Sequence, residues 1–193
     1  WRWRWVLPRL AGIRPSGFEV GCGAGYFLEL LRSAGWRVAG CELAPAYVEF
    51  ARSRGLEVRE GEIRSSPKGP FGAVFLFNVL SHLHNPLGDL EQVRDRLDPG
   101  GALVIETGNA AEVEPGRVGS FGAPEHVYHF SESNVRQLLG RLGFERISVA
   151  RFNVEWQRRV LSWRRPSRVV AKAEGSPRNK SSSESVAKSL VSR

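Results

Sequence analysis

The chain has 193 residues, of which 41% are hydrophobic and two are cysteine, and its formal net charge is +8 at pH 7. This length predicts one domain with a sizeable core, and no apolar run reaches the roughly 18 residues that a membrane span needs. Two cysteines are too few for a disulfide framework and no signal peptide is visible, so we expect a protein of the reducing cytoplasm.

The positive charge is concentrated at the two ends of the chain. Residues 18–150 carry 13 Lys and Arg against 17 Asp and Glu, whereas residues 1–17 carry +4 and residues 151–193 carry +8. A nucleic-acid enzyme more often has a basic folded domain, so we do not expect a nucleic-acid partner. We expect a truncated N-terminal segment at 1–17, a folded domain at 18–173 and a disordered, basic, Ser-rich tail at 174–193.

Strands and helices alternate along the middle of the chain. Apolar residues at helical spacing predict helices, and short apolar runs bounded by Gly and Pro predict strands. The predicted strands are 18–20, 36–41, 56–59, 73–77, 102–106, 144–149 and 167–173, and the predicted helices are 25–34, 45–55, 87–97 and 131–142. Ser131 is a suitable N-cap for the last helix. The alternation predicts an α/β fold, with a doubly wound, mostly parallel seven-stranded sheet.

The most informative motif joins the first predicted strand to the first helix. Residues 19–25 read Glu-Val-Gly-Cys-Gly-Ala-Gly, and Glu42 stands at the end of the second strand. Glycines let the backbone approach a ligand closely, and an acid at the end of the second strand can accept hydrogen bonds from ribose hydroxyls. Tyr26 occupies the position at which the dinucleotide fingerprint has its third glycine. The motif therefore favours an adenosine-containing cofactor other than a dinucleotide.

Several motifs in this order resemble the class I S-adenosylmethionine-dependent methyltransferases. They are 19–25, Cys41-Glu42, 77–86 and 97–101. The run 124–131 is similar to the branch of that family that acts on small molecules. The resemblance covers about residues 18–150 and implies S-adenosylmethionine as the cofactor and an antiparallel final strand.

The resemblance also implies which residues bind the cofactor. Glu19 and the glycine turn hold the methionine moiety, and Glu42 holds the ribose. Leu43, Glu62 and Ile63 contact the adenine. The complete implied set is Glu19, Gly21, Cys22, Gly23, Gly25, Glu42, Leu43, Glu62, Ile63, Asn78, Val79 and His82.

Histidine is the candidate for acid–base chemistry, because its unperturbed pKa lies between pH 5 and 8. We expect His126 to act as a base or to orient the acceptor, with Tyr128 or His129 assisting; packing of the loop is the alternative role for His126. We expect no metal site, since His82 and His84 have no cysteine and no clear third ligand beside them.

The resemblance implies methyl transfer to a small-molecule acceptor by in-line displacement, with O-methylation first and C- or N-methylation next. Alignment of the reactants is then the main contribution of the protein. Two alternatives remain open. One is a non-catalytic protein with a degenerate cofactor pocket, favoured because Arg14-Pro15-Ser16-Gly17, directly before residue 18, predicts a shortened first strand. The other is a nicotinamide-dependent oxidoreductase, which the glycine spacing disfavours.

Overall fold

The computed structural model of the chain describes residues 6–108, 126–152 and 168–175. The strands are β1 (Ser16–Val20), β2 (Arg37–Glu42), β3 (Glu57–Glu60), β4 (Phe71–Phe77), β5 (Leu97–Gly108), β6 (Phe144–Phe152) and β7 (Arg168–Gly175). The helices are α1 (Tyr26–Ser33), α2 (Pro45–Ser53), α3 (Pro86–Asp95) and α4 (Glu132–Arg141). Short 3-10 helices occupy Leu7–Leu10, Ile63–Ser65 and Leu80–His82.

All seven strands belong to one sheet, in the order β3-β2-β1-β4-β5-β7-β6. Strands β1 to β5 pair in parallel, and β7 runs antiparallel to both β5 and β6. The predicted doubly wound sheet and its antiparallel final strand are therefore confirmed. The chain builds outward from β1 to β3 and then returns to β4, so the topological switch point lies between β1 and β4.

Helices cover both faces of the sheet, and the core is divided accordingly. Along β4, Val74 and Leu76 belong to one apolar cluster, whereas Ala73 and Phe75 belong to the other. Alternate residues of a strand point to opposite faces, which explains this division. The first cluster also contains buried residues of α3 and α4, and the second contains those of α1 and α2.

The first strand is longer than the sequence predicts, and the expected shortening is wrong. Ser16 and Gly17 pair in register with Arg37 and Val38 of β2, and the Ser16 hydroxyl accepts a hydrogen bond from the Gly72 amide at 3.0 Å. Ser and Gly favour turns, but pairing with neighbours on both sides overrides that weak local preference. The glycine turn thus follows a buried five-residue strand.

Two helices also differ from their predicted form. The buried side of α1 carries Leu28 and Leu31, whereas Leu30, which helical spacing places on one apolar face with Phe27 and Leu31, is 42% exposed. Apolar residues occur around most of this helix, so their spacing alone does not fix the buried side. Helix α3 ends at Asp95, before its predicted end, because Leu97 pairs with Phe71 at the start of β5.

Candidate active site

A cavity of about 460 Å³ lies at the carboxyl ends of the parallel strands, beside the switch point. In open α/β sheets ligands bind at this place. Among the predicted cofactor residues, those that line the cavity are Gly21, Glu42, Leu43, Glu62, Ile63, Val79 and His82. The cavity therefore brings together residues that follow four different strands.

Positive backbone φ angles and close contacts explain the glycines after β1. Gly21, Gly23 and Gly25 have φ angles of +64°, +53° and +80°, in the left-handed region that side chains other than glycine disfavour. A Cβ on Gly21 would lie 2.6 Å from Cγ2 of Val79, and one on Gly25 would lie 2.4 Å from Cδ1 of Leu56. The turn can therefore keep this shape only with glycine at these two positions.

Backbone amides hold the Glu42 carboxylate at the cavity wall. Its Oε2 accepts a hydrogen bond from the Gly23 amide at 2.8 Å, and its Oε1 accepts bonds from the Leu43 and Ala44 amides at 2.8 and 2.9 Å. A carboxylate has about four acceptor positions, so capacity remains for a ligand hydroxyl. Glu42 therefore joins the glycine turn to the end of β2 and keeps a fixed acceptor in the cavity.

The remaining predicted cofactor residues do not line the cavity. They are Glu19, Cys22, Gly23, Gly25 and Asn78. Glu19 and Cys22 are buried. Burial first, and then the Glu19 carboxylate, raise the pKa of the Cys22 thiol, so this thiol stays protonated. Asn78 is exposed, with a φ angle of +59°, and its amide donates to the Glu106 carbonyl at 2.8 Å.

Sequence reasoning missed a group of cavity residues that come from the β3–β4 turn and from the start of α3. They are Arg64, Leu83, His84, Asn85 and Asp89. The Asn85-Pro86 pair, which is typical of a helix start, was the only local signal for part of this group. Their approach to the cavity depends on how α3 packs against the Ile63–Ser65 turn.

A buried arginine joins that turn to α3. Arg96 is 7% exposed, and its guanidinium donates hydrogen bonds to the carbonyls of Ile63 at 2.6 Å, Gln92 at 3.0 Å and Pro67 at 3.1 Å. Burial lowers the pKa of Arg96. Because these carbonyls lie on both segments, Arg96 fixes the wall that carries Ile63 relative to the helix that carries Asp89.

The predicted catalytic segment packs against the 3-10 helix Leu80–His82. The His126 and His82 rings lie 4.5 Å apart between centroids. The backbone amides of Val127 and Tyr128 both donate to the Ser81 carbonyl, at 2.9 and 3.1 Å. The structure therefore brings His126 beside a residue that lines the cavity.

The other two predicted catalytic residues, like His126, are not among the described residues that line the cavity. The Tyr128 hydroxyl donates to the His84 carbonyl at 3.3 Å, and its side chain is 41% exposed. His129 is exposed. The loop predicted to face the methyl group lies mostly at 109–125, outside the described residues.

Fold, strand order and cavity together define a class I methyltransferase, for which S-adenosylmethionine is the cofactor. A family described as "Methyltransferase domain" matches residues 5–149, and the chain belongs to that family. The solved structure of a SAM-dependent methyltransferase from Archaeoglobus fulgidus has a similar fold, with a TM-score of 0.72 and 19% identity over 90% of this chain and 91% of that one. Magnesium protoporphyrin IX methyltransferase from Synechocystis, solved with bound SAH, gives a TM-score of 0.68 at 18% identity over 90% of this chain and 80% of that one.

Curated relatives carry a more specific name. The chain is 31% identical to the tRNA U34 carboxymethyltransferase of Shewanella loihica over 118 residues, which cover 55% of this chain and 36% of that protein. The enzyme of the same name from Klebsiella pneumoniae is 34% identical over 118 residues, covering 55% of this chain and 35% of the relative. The chain thus spans about a third of the length of these relatives. These relatives contradict the expectation of a small-molecule acceptor and no nucleic-acid partner. The small-molecule acceptor had been inferred from the resemblance of run 124–131 to one branch of the family, and the absence of a nucleic-acid partner from the charge of the central domain.

Two further features of the structure concern metal-binding groups and helices that could span a membrane. In the part of the chain that the structure describes, no group of three His, Cys, Asp or Glu side chains is arranged to hold a metal ion. Within the same residues, no helix has both the length and the apolar character to cross a membrane.

Proposed function

We propose that this chain contributes the cofactor-binding and transfer domain of an enzyme that transfers a methyl or carboxymethyl group to tRNA from S-adenosylmethionine or a carboxylated form of it. The observation that carries the proposal is the Glu42 carboxylate, fixed by backbone amides of the glycine turn at the wall of the cavity. The tRNA acceptor is inferred from relatives that match about a third of their length to this chain.

The cofactor's chemistry determines what the protein must do. When bound, S-adenosylmethionine supplies a sulfonium-activated carbon; the carbon–sulfur bond breaks as the carbon–acceptor bond forms, which leaves a neutral thioether. In this proposal Glu42 accepts hydrogen bonds from the ribose hydroxyls. Backbone amides of the glycine turn, at the N-terminus of α1, bind the carboxylate of the methionine moiety. These contacts fix the direction in which the reactive carbon faces the acceptor.

We assign the proton-accepting role to His126. The His126 ring lies 4.5 Å from the His82 ring between centroids, and its Nδ1 atom is buried with no hydrogen-bond partner among the described residues. A proton that leaves the acceptor atom is transferred to this imidazole as the new bond forms. Tyr128 and His129, which follow His126 in the same segment, assist by positioning the acceptor.

Exposed aromatic side chains beside the glycine turn support an RNA acceptor. Tyr26 is 66% exposed and Phe50 is 44% exposed, and their ring centroids lie 6.4 Å apart. The Arg54 guanidinium lies 5.4 Å from the Tyr26 centroid and 5.6 Å from the Phe50 centroid. Unpaired RNA bases stack on aromatic rings and on arginine planes. We call Tyr26, Phe50 and Arg54 the aromatic–arginine cluster.

The test of the proposal is transfer of label from S-adenosylmethionine that carries a labelled methyl group. We expect label in bulk tRNA that ribonuclease removes, and about 10- to 100-fold less label with Glu42→Gln at cofactor concentrations well below saturation. Because the relatives are named as carboxymethyltransferases, mass spectrometry of the digested nucleosides distinguishes a methyl from a carboxymethyl product when the corresponding cofactor is supplied. Label in a small-molecule panel but never in RNA would contradict the tRNA acceptor.

Two controls separate the parts of the proposal. Calorimetric binding of S-adenosylhomocysteine without transfer to any acceptor would favour the degenerate-pocket alternative. For the RNA surface, Tyr26→Ala with Phe50→Ala should weaken tRNA binding about tenfold, since each stacked base contributes about 1–3 kcal/mol. Leu87→Ala, at an exposed apolar residue of α3, is the matched control and should leave binding unchanged.

A further inference from the structure

Two histidine rings meet beside the cavity. His82 lines the cavity, whereas His126 is not among the described residues that line it. The ring centroids lie 4.5 Å apart, and the ring planes are inclined to each other by 35°. Because aromatic rings in contact have centroids about 4.5–7 Å apart, these two rings touch, and the orientation of one restricts the other.

Backbone hydrogen bonds fix the element that carries His82. A 3-10 helix of three residues ends at His82, whose amide donates to the Val79 carbonyl at 2.9 Å. Leu80 is fully buried and Ser81 is 8% exposed, so this helix is held by the core. The Ser81 carbonyl accepts hydrogen bonds from the two backbone amides that follow His126. One short helix therefore positions both histidines.

Within the described residues, the His126 imidazole lacks the hydrogen bond that usually orients a catalytic base. In such sites a third group bonds to one ring nitrogen and aims the other at the proton to be removed. Nδ1 of His126 is buried and has no hydrogen-bond partner among the described residues. Because a buried atom is out of reach of an acceptor, Nε2 is the nitrogen that remains for proton transfer. Packing must then set the plane of this ring, and the His82 ring packs against it.

We propose that His82 is a positioning residue whose ring holds the His126 imidazole with Nε2 toward the acceptor. This inference rests on the proposed function, in which His126 takes the proton that leaves the acceptor atom, and it adds the residue that aims this base. The proton goes to Nε2 of His126 and from there to solvent, so His82 itself gains none. Misplacement of a reacting group by about 1 Å can cost about 10²-fold in rate, which is the scale of effect expected from a loosened base.

Two substitutions of His82 test the role of its ring. The His82 side chain is exposed, so neither substitution disturbs the core. His82→Ala should lower the single-turnover rate of label transfer to tRNA about 10- to 100-fold, because the His126 ring loses its neighbour. His82→Phe keeps a flat ring without the nitrogens and should recover most of the lost rate. Failure of His82→Phe to recover it would show that an imidazole nitrogen of His82 is needed, which overturns the proposal.

Cofactor affinity separates this role from the one that the family resemblance implies for His82. Contact with the cofactor predicts that His82→Ala weakens binding of S-adenosylhomocysteine, measured by calorimetry, by the same factor as it lowers the rate. A positioning role predicts that both variants keep the wild-type affinity. Equal losses of affinity and rate would overturn the proposal. Equal losses of rate in both variants, together with a lower melting temperature, would indicate a structural role and overturn it as well.

A double variant tests whether His82 acts through His126. If it does, His82→Ala costs nothing more once His126 is replaced by alanine, and the double variant has the rate of His126→Ala alone. Losses that multiply would give His82 an independent role and overturn the proposal. An unchanged rate in His126→Ala would overturn the base of the proposed function together with this inference. A loss in His126→Ala with none in His82→Ala overturns this inference alone.

Discussion

The two ends of the cavity are constructed differently. At the Glu42 end, the carboxylate accepts from the amide of Gly23, which is 19 residues away, and all its donors among the described residues are backbone amides. At the His126 end, the Tyr128 side chain reaches the His84 carbonyl across 44 residues of sequence. The comparison teaches that the cofactor end follows from a local strand–turn–helix–strand unit, whereas the acceptor end depends on docking of distant segments.

The largest effect is expected at the acceptor end. His126→Ala should lower turnover about 10²- to 10⁴-fold, the usual contribution of a positioned general base, while leaving affinity for S-adenosylhomocysteine unchanged. Single-turnover kinetics and calorimetry measure the two quantities. Val127→Ala is the matched control, because the Val127 side chain is 48% exposed and its contact with Ser81 is made by the backbone. Unchanged turnover in His126→Ala would assign His126 to loop packing.

The glycine turn should be the most sensitive part of the cofactor end. Gly25→Ala combines a positive φ angle with a Cβ that would contact Leu56, so we expect a loss of about 2–4 kcal/mol in unfolding free energy. Gly35→Ala has a φ angle of +84° and no atom within 4 Å of the new Cβ, and should cost about 1–2 kcal/mol. Chemical denaturation compares the two variants. Equal losses would show that the contact with Leu56 contributes nothing.

Substitution of the Glu42 carboxylate should have a somewhat smaller effect, which we expect on cofactor affinity. Glu42→Gln should weaken S-adenosylhomocysteine binding about 10- to 100-fold, because an uncharged amide accepts fewer and weaker hydrogen bonds from the turn and the ribose. Glu60→Gln is the control, since Glu60 is the exposed register partner of Glu42 on β3. Similar losses in both variants, measured by calorimetry, would indicate a general charge effect and contradict direct ribose recognition.

The smallest effect is expected at the helix that follows the catalytic segment. The Ser131 side chain accepts from the Asn134 amide, and the Asn134 side chain accepts from the Ser131 amide. Ser131→Ala should therefore cost about 1 kcal/mol in unfolding free energy, measured by urea denaturation. Ser33→Ala should be close to neutral, because that hydroxyl only bonds back to the Glu29 carbonyl within α1. A neutral Ser131→Ala would mean that the cap adds nothing to the docking of this segment.

Much of the cofactor end could be predicted because its signals are local. The Glu-Val-Gly-Cys-Gly-Ala-Gly run and Glu42 lie in one strand–turn–helix–strand unit, where glycine conformation and strand ends restrict the geometry. The Ser131 cap was predicted correctly for the same reason. The extent of β1 was missed, since Ser16 and Gly17 are recruited by pairing with neighbouring strands, and no local preference indicates that.

The far wall of the cavity was not predictable from the sequence. Arg64 and Asp89 reach the cavity because the buried Arg96 joins the Ile63–Ser65 turn to α3, and this contact joins residues 33 positions apart. The sequence also led to a wrong prediction of the acceptor, a small molecule with no nucleic-acid partner. The net charge of a domain does not describe its local surfaces, and the aromatic–arginine cluster forms only when α1 and α2 pack side by side.

The sequence by itself determined the fold class, the cofactor and the acid that joins the glycine turn to the end of β2, because each depends on residue types and spacings within a few neighbouring elements. Tertiary structure alone decided which residues of α3 line the cavity, which helix face is buried and which histidine lies against His82. Those outcomes depend on packing between elements far apart in the chain, where contact is set by shape and burial and leaves no periodic signature in the residues.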